Sequence, residues 1–133
     1  MADIDAFKTR AKANDGVKVP LSTPDGSPTE HWLQIRSIWS DEYQAARSEL
    51  IRQAIDDGRK VSEANGEAAT LRKTLDRKRR AVAAASLIAG WSFDLEFTEE
   101  AVSDFLLEAP QILAHVERIA EDGARFFGKG SIS

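Results

Sequence analysis

Few residues of this chain have the types and spacing that catalysis requires. The two histidines, His31 and His115, stand far apart, and neither lies in a metal-ligand spacing such as HExxH. Ser86 is not part of a GxSxG nucleophile elbow, and no glycine-rich phosphate loop occurs. The carboxylate pairs at 56–57 and 99–100 are adjacent in sequence, so on a helix they point apart instead of sharing a proton. The sequence therefore predicts no enzyme, no metal site and no cofactor.

The only basic cluster runs from Arg72 to Arg80 and holds six cationic side chains and one aspartate. Such a cluster could touch phosphates, but no aromatic residue lies within it to stack on bases. The net charge of the chain, −4, also opposes binding to a polyanion. We interpret the cluster as a solvated helix face that pairs with acidic residues of the first helix, with an acidic protein partner as the alternative. Nucleic-acid binding is not expected.

Length and composition indicate one ordinary globular domain over 1–133. The chain is 42% hydrophobic and 30% charged, and 133 residues are too few for two domains. It has no cysteine, which excludes disulfides and cysteine-ligated zinc. The acidic start at residues 1–5 does not have the pattern of a signal peptide, and no apolar run approaches the roughly 20 residues of a membrane span. We expect no membrane association.

The elements that must position the side chains are a hairpin and a set of helices. Residues 17–21 and 32–39 alternate between apolar and polar, and a Pro-Asp-Gly turn lies between them. This pattern predicts a β-hairpin region over 17–39, in which Pro20 restricts the first strand to a sheet edge. The fold class is therefore mainly α: a small helical bundle with an N-terminal β-hairpin.

Helical spacing and capping residues predict a helical region over 41–127, followed by a flexible tail over 128–133. Ser40 and Thr98 are candidate N-caps, and Pro110 suits a first helical turn. An apolar stripe runs from Tyr43 to Ile55, after which Asp-Asp-Gly at 56–58 weakens or ends the helix. Residues 59–69 are polar and small and are predicted to be a loop or a frayed helix end.

An alanine-rich helix then leads to Gly90, where a left-handed turn is predicted to close it. The short extended link that follows carries large apolar side chains at alternate positions, so it must be buried. We assign to the structural core the aromatic residues of this link and two residues of the helices after it: Trp91, Phe93, Phe97, Phe105 and Val116.

A second aromatic group lies where the hairpin meets the first long helix. It consists of Trp32, Trp39 and Tyr43. Tryptophan and tyrosine are enriched at protein interfaces, and the C-terminal aromatics are already assigned to covering the link. We therefore predict that these three residues, with Leu50 as a lower wall, bind a partner or a second copy of the chain.

The stretch around Gly90 resembles the tail assembly chaperones of long-tailed bacteriophages. The resemblance is carried by a Gly-Trp step at 90–91, a Phe-Thr cap with an acidic first turn at 97–100, and a proline before the last helix at Pro110. An aromatic end to that helix, within 119–127, completes the pattern. The likeness covers about the C-terminal third, and residues 18–26 match more loosely.

This resemblance implies a small, mostly helical, non-enzymatic protein that acts during tail assembly. Members of the family bind the tape measure protein, help to recruit tail tube subunits, and are absent from the finished virion. The implied location is the host cytoplasm. In many relatives a ribosomal frameshift near the end of the reading frame adds a second domain; the sequence leaves open whether that occurs here and whether the chain forms homo-oligomers.

Two other functions remain open from the sequence. One is a small DNA-associated helical regulator that uses the basic cluster. The other is a structural tail or head completion protein that stays in the particle. Retention of DNA in a gel distinguishes the first, and detection in purified virions distinguishes the second.

Replacing Arg77, Lys78, Arg79 and Arg80 by glutamine is expected to leave DNA retention unchanged, because there is little affinity to lose. Gel shifts at several salt concentrations measure this. Submicromolar binding at physiological salt that falls steeply as salt rises would contradict it and favour the DNA-associated regulator.

Overall fold

The computed structural model describes residues 4–128 and confirms a mainly α fold, 64% helical with one small antiparallel sheet. The predicted tail over 128–133 lies outside the described residues except for Gly128. In the described range the strands are β1 (Val17–Ser22), β2 (Pro28–Ile35) and β3 (Ile88–Trp91). The helices are α1 (Arg10–Asp15), α2 (Asp41–Glu63), α3 (Ala68–Ala85), α4 (Glu99–Glu108), α5 (Pro110–Glu121) and α6 (Gly123–Phe127).

The predicted hairpin forms, but it is part of a three-stranded sheet. The strand order is β1-β2-β3, and both pairs are antiparallel. Strand β1 therefore lies at an edge, as Pro20 predicts. The turn between β1 and β2 is closed by the Asp25 carboxylate, which accepts from the backbone N–H of Ser27 at 3.0 Å, and by Gly26 with a φ of 90°.

Strand β2 ends at Ile35, so the prediction that it extends to residue 39 is wrong. Beyond Ile35 the backbone N–H groups of Arg36, Ser37 and Ile38 donate to three carbonyls outside the hairpin. Their acceptors are Leu87 before β3, Ala13 of α1 and Ala120 of α5. Because these donors are engaged elsewhere, they are not available to pair with β1.

The link after α3 begins as a strand, which corrects the predicted left-handed turn at Gly90. Gly90 lies in β3 opposite Gln34, and in the described range only Gly16 and Gly26 have positive φ. Helix α3 ends at Ala85, so the last residues of the predicted helix belong to a turn and to β3. The prediction of an extended link is correct only at its start, because β3 ends at Trp91 and residues 93–95 form a bend; the pairing of β3 with β2 was not foreseen.

Three helix starts follow their sequence signals. Ser40 and Thr98 adopt extended backbone, and their hydroxyl oxygens accept from the N–H groups of Tyr43 at 3.3 Å and Ala101 at 3.0 Å. Pro110 is the first residue of α5, where its missing N–H costs no helical hydrogen bond. The short-range capping predictions at these positions are confirmed.

The prediction that α2 weakens or ends at 56–58 is wrong, because the helix continues to Glu63. Residues 59–69, predicted as loop or frayed helix, form the last turns of α2, a 3-10 turn at 65–67 and the start of α3. An ion pair explains the continuation: Arg79 of α3 pairs with Asp57 of α2, and both side chains are largely buried. Glycine at position 58 carries a helix penalty of roughly 1 kcal/mol, and the helix continues through it where α2 contacts α3.

The buried side chains form a core between one face of the sheet and the helices. Leu33 and Ile35 of β2 are fully buried, and Val19 and Leu21 of β1 lie beside them. The helical contributions come from small residues of α3 and larger ones of α4 to α6, namely Ala81, Ala84, Val102, Leu106, Leu113, Val116, Ile119, Ala120 and Phe126. Of the residues of α2, only Val61 is fully buried. Helix α2 therefore packs at the margin of the core.

Asp57→Ala is expected to lower the free energy of unfolding by about 1–3 kcal/mol, because it removes a partner from the partly buried Arg79. The neighbouring Asp56→Ala is the matched control, since Asp56 pairs with the exposed Arg52 on the surface. Its expected cost is about 0.5 kcal/mol or less. Urea denaturation of both variants measures the difference, and equal costs would contradict a structural role for the Asp57–Arg79 pair.

Candidate partner-binding surfaces

The aromatic residues of the link form a cluster at the edge of the core. The ring of Trp91 meets those of Phe93, Phe97 and Phe105 edge-on, with centroids 5.4, 5.5 and 6.1 Å apart. Trp91, Phe93 and Phe105 are partly buried and pack against the core, while Val116 is fully buried within it. These contacts show how the sheet edge is joined to α4.

Phe97 is a correction to the predicted core set, because 43% of its surface is exposed. It touches the cluster through Trp91, and its free side borders the gap between α2 and α4. Leu95 is also exposed, at 62%. Only the first half of the link is covered by the core, because α4 begins after Thr98 and does not extend back over residues 94–97.

The four residues predicted to bind a partner do not share one environment. Trp32 lies on the outer face of the sheet, where Lys18 Nζ is 4.3 Å from its ring centroid. Trp39 lies in the turn before α2 and is 59% exposed. Tyr43 is partly buried and packs against the core, and Leu50 is partly buried on α2. Trp39 is therefore the one with a largely free side chain.

The exposed apolar surface continues along α2 beyond these residues. Ile51 and Ile55 are 53% and 65% exposed and lie one helical turn apart on one face. Tyr43 and Leu50 are seven residues apart, so they lie together on the adjacent, partly buried face. We call the exposed face formed by Ile51 and Ile55 the α2 face. The apolar stripe was predicted correctly as a pattern, but its outer part is not covered by the described residues.

Two arginines border the α2 face. Helical periodicity places Arg47 one turn before Ile51 and Arg59 one turn after Ile55, at the two ends of the same row. Neither guanidinium is in an ion pair within residues 4–128. Arg52, by contrast, pairs with Glu49 and Asp56 on its own helix. An arginine therefore stands at each end of the α2 face.

A groove runs along the other side of α2, between that helix and α4, with α3 as its floor. Two adjoining hollows of about 500 and 440 Å³ form it. Small side chains line the floor, including Ala46, Ala85 and Ser86, and Val82 is 38% exposed there. A third hollow of about 380 Å³ continues it past Val82 towards Leu75. We call this surface the α3 groove.

The rim of the α3 groove is mainly acidic. Glu99, Glu100 and Asp104 of α4 line it, and none of these carboxylates is in an ion pair within residues 4–128. Lys78 lies on the opposite side, and Lys60 and Arg79 line the third hollow together with Asp56 and Asp57. Arg36 at the groove end is mostly buried, and its guanidinium donates to the carbonyl oxygens of Ser86 and Ile88. The α4 wall of the groove is therefore acidic and lies beside a floor of small side chains.

The basic cluster is divided between different neighbours instead of forming one cationic surface. Arg79 points to Asp57 of α2, and Arg80 pairs with Glu117 of α5, which raises the pKa of Arg80 through their hydrogen bonds. Arg77 and Arg80 line a separate hollow of about 510 Å³ beside α4 and α5. The predicted pairing with an acidic residue of the long helix α2 is therefore present at Arg79.

The two histidines that the sequence offers as catalytic candidates, His31 and His115, lie in different parts of the structure. His31 packs on Phe93 with centroids 4.7 Å apart, and its Nδ1 lies 3.1 Å from Ser92 Oγ. That hydroxyl accepts from the N–H of Trp32 at 2.8 Å, which joins β2 to the link. His115 lies elsewhere, on α5, and its pKa is lowered by burial and by nearby Arg118 and Arg125.

Comparison with protein families decides the identity. A family model described as phage tail assembly chaperone matches residues 1–118 of the 133. The chain is a member of this family. Comparisons with curated proteins and with solved structures give no significant match. The matched range extends the resemblance from the C-terminal third to the hairpin and α2, so the chaperone is related to its family over most of its length.

Within residues 4–128 of the chaperone, no helix is long and apolar enough to cross a membrane. The surface that sequence reasoning missed is the α3 groove. Its floor consists of small side chains that look like ordinary helix-packing residues, and its acidic rim looks like helix N-terminal charge. Only the tertiary structure shows that these residues line open hollows.

Trp91→Ala is expected to destabilise the chaperone by about 3 kcal/mol, because it removes the ring that contacts three phenylalanines. Phe7→Ala is a suitable control, since 83% of Phe7 is exposed. Thermal and urea denaturation measure both. An unchanged midpoint for Trp91→Ala would show that the cluster does not contribute to the stability of the fold.

Proposed function

We propose that this tail assembly chaperone binds a helical, apolar segment of the tape measure protein and acts without catalysis. Membership of the family supports a role in tail assembly. The observation that carries the finer proposal is the row of large apolar side chains left open on and before α2. Trp39, Ile51 and Ile55 are each more than half exposed.

The dimensions of this surface suit a helical client. From Tyr43 to Ile55, α2 rises about 18 Å, which is roughly three turns of a partner helix. An amphipathic helix presents side chains at the same spacing, so it can lie along α2 with its apolar stripe on Ile51 and Ile55. The aromatic Trp39 at the start of α2 is the type of residue that most often dominates binding energy.

Because the open surface has few large apolar side chains, it also allows the client to be released. A chaperone must give up its client when the tail tube assembles, so contact with a shallow row is more suitable than enclosure in a deep cavity. From its membership of the family, we also propose that the chaperone acts in the host cytoplasm, helps to recruit tail tube subunits and does not remain in the virion.

The test is co-expression with the tape measure protein, followed by pull-down. Trp39→Ser, and Ile51→Ser with Ile55→Ser, are expected to weaken capture at least about 10-fold with little change in Tm, because these side chains are exposed. Phe7→Ser is the matched control for an exposed aromatic outside the surface. Tyr43→Ser is expected to lower Tm, because Tyr43 packs against the core.

Unchanged capture by the Trp39 and Ile51/Ile55 variants would contradict this surface. Loss of capture in the Phe7 control would show that the assay reports nonspecific binding by exposed apolar side chains. Finding the protein in purified virions in amounts typical of a structural component would contradict its release and favour a completion protein.

A further inference from the structure

We infer that the hollow between α3 and the junction of α4 with α5 binds an acidic, leucine-bearing helical segment of another protein. The hollow has a volume of about 510 Å³. Three leucines and Pro110 form its apolar side, and α3 provides its charged side. We call it the α5 hollow. It lies outside both the α2 face and the α3 groove.

The apolar side of the α5 hollow is formed where α4 ends and α5 begins. Leu106 and Leu113 are buried and form its floor, whereas Leu107 is partly exposed and Pro110 is exposed. Ala109 between the two helices has a non-helical backbone, so the chain changes direction there. An apolar side chain that enters the hollow would cover Leu107 and Pro110 and leave water itself, which favours binding.

The α3 side of the α5 hollow carries a positive charge that is not balanced within residues 4–128. Arg80 pairs with Glu117 and Asp76 pairs with Arg79, so these charges cancel. Arg77 lines the hollow, is exposed and has no ion pair in that range. A guanidinium with free donors is well suited to hold a carboxylate. The charge of the hollow therefore favours an acidic partner.

Lys73 extends this positive charge along α3. It lies four residues before Arg77, one helical turn or about 6 Å along the axis, and on the same side of the helix. It is exposed and also has no ion pair within residues 4–128. Side chains on successive turns of a partner helix recur at the same interval. Such a helix can place a leucine in the hollow and carboxylates opposite Arg77 and Lys73.

The α5 hollow favours a protein segment over a nucleic acid. Among the residues of the described range that line it, none is aromatic, so bases have no ring on which to stack. Its floor is made of leucines, and a phosphate backbone has no apolar group to place on them. An acidic peptide with an apolar anchor satisfies both sides of the hollow.

This inference does not rest on the proposed binding of the tape measure protein. The α5 hollow is formed by α3, α4 and α5, whereas Ile51 and Ile55 lie on α2. One chaperone can therefore hold a client on the α2 face and an acidic partner in the α5 hollow at the same time. An assay with the purified chaperone and a model peptide tests the second contact alone.

The test uses a set of fluorescein-labelled amphipathic peptides, about four helical turns long, with leucine on one face and glutamate at varied positions beside it. Fluorescence anisotropy is expected to identify peptides that bind the full-length chaperone. Replacing their glutamates by lysine, or their leucines by serine, should each weaken binding at least about 10-fold. Raised salt should also weaken it, because Arg77 and Lys73 are exposed.

Two variants place a negative charge at the hollow, Arg77→Glu on α3 and Pro110→Glu at the start of α5. Each is expected to weaken peptide binding at least about 10-fold with little change in Tm, because both side chains are exposed. Arg72→Glu is the matched control: Arg72 is also exposed on α3 but lies about 140° around the helix axis from Arg77. The Ile51→Ser/Ile55→Ser variant should bind the peptide as the wild type does.

Several results would overturn the inference. One is the absence of any peptide whose binding needs both glutamate and leucine. Another is binding that survives Arg77→Glu and Pro110→Glu, or that Arg72→Glu weakens as much. Displacement of the peptide by an equal concentration of oligodeoxynucleotide would show a general polyanion site instead. A change in sedimentation of the chaperone alone on Arg77→Glu would show that a second copy occupies the hollow. Failure to capture the tape measure protein with peptide binding intact would contradict only the proposed function.

Discussion

The fold depends on the burial of strand β2 and on the hydrogen bonds of the three residues that follow it. Leu33 and Ile35 are inaccessible to solvent, so the strand must be covered on that face. The next three backbone N–H groups, at 36–38, then join the strand to the turn before β3, to α1 and to α5. Buried backbone donors need partners, so three elements are fixed in position by one short segment.

The same segment explains a requirement for glycine. Gly16 has a φ of 74°, and a Cβ at that position would collide with the carbonyl oxygen of Ile35. A side chain at position 16 would push the end of α1 away from the backbone at residues 35–36. Arg10 and Asn14 of α1 in turn hydrogen-bond Asp41 at the start of α2, which lowers the pKa of that carboxyl. The start of α2 is thus attached to the core through α1.

Helix α2 has an unusual position as a consequence. It is fixed at its start by the cap and by Asp41, and further along by the Asp57–Arg79 pair, while contributing little to the core. Polar contacts near both ends thus help to position α2, while Ile51 and Ile55 remain exposed. This arrangement leaves both an open face and a groove in a protein whose family acts in tail assembly. Tyr43 and Val61 are the exceptions, because Tyr43 packs against the core and Val61 is buried.

The sequence alone determined the features that depend on neighbours within a few residues. The caps at Ser40 and Thr98, the helix start at Pro110 and the turn at 23–27 each need only a local hydrogen bond or a fixed backbone angle. The mainly α class and the edge position of β1 follow from the same kind of signal. The Gly-Trp step and the acidic cap also carried enough of the family pattern to identify it.

Tertiary structure decided what depends on residues far apart in the chain. The turns of α2 around Gly58 contact Arg79 of α3, and the pairing of β3 with β2 joins strands separated by 52 residues that include α2 and α3. The exposure of Phe97, Ile51 and Ile55 was also beyond the sequence pattern, because periodicity shows that apolar residues share a face but not whether another element covers it. Which face remains open is set by the number of elements that pack around the core, and in this chain α2 lies at its margin.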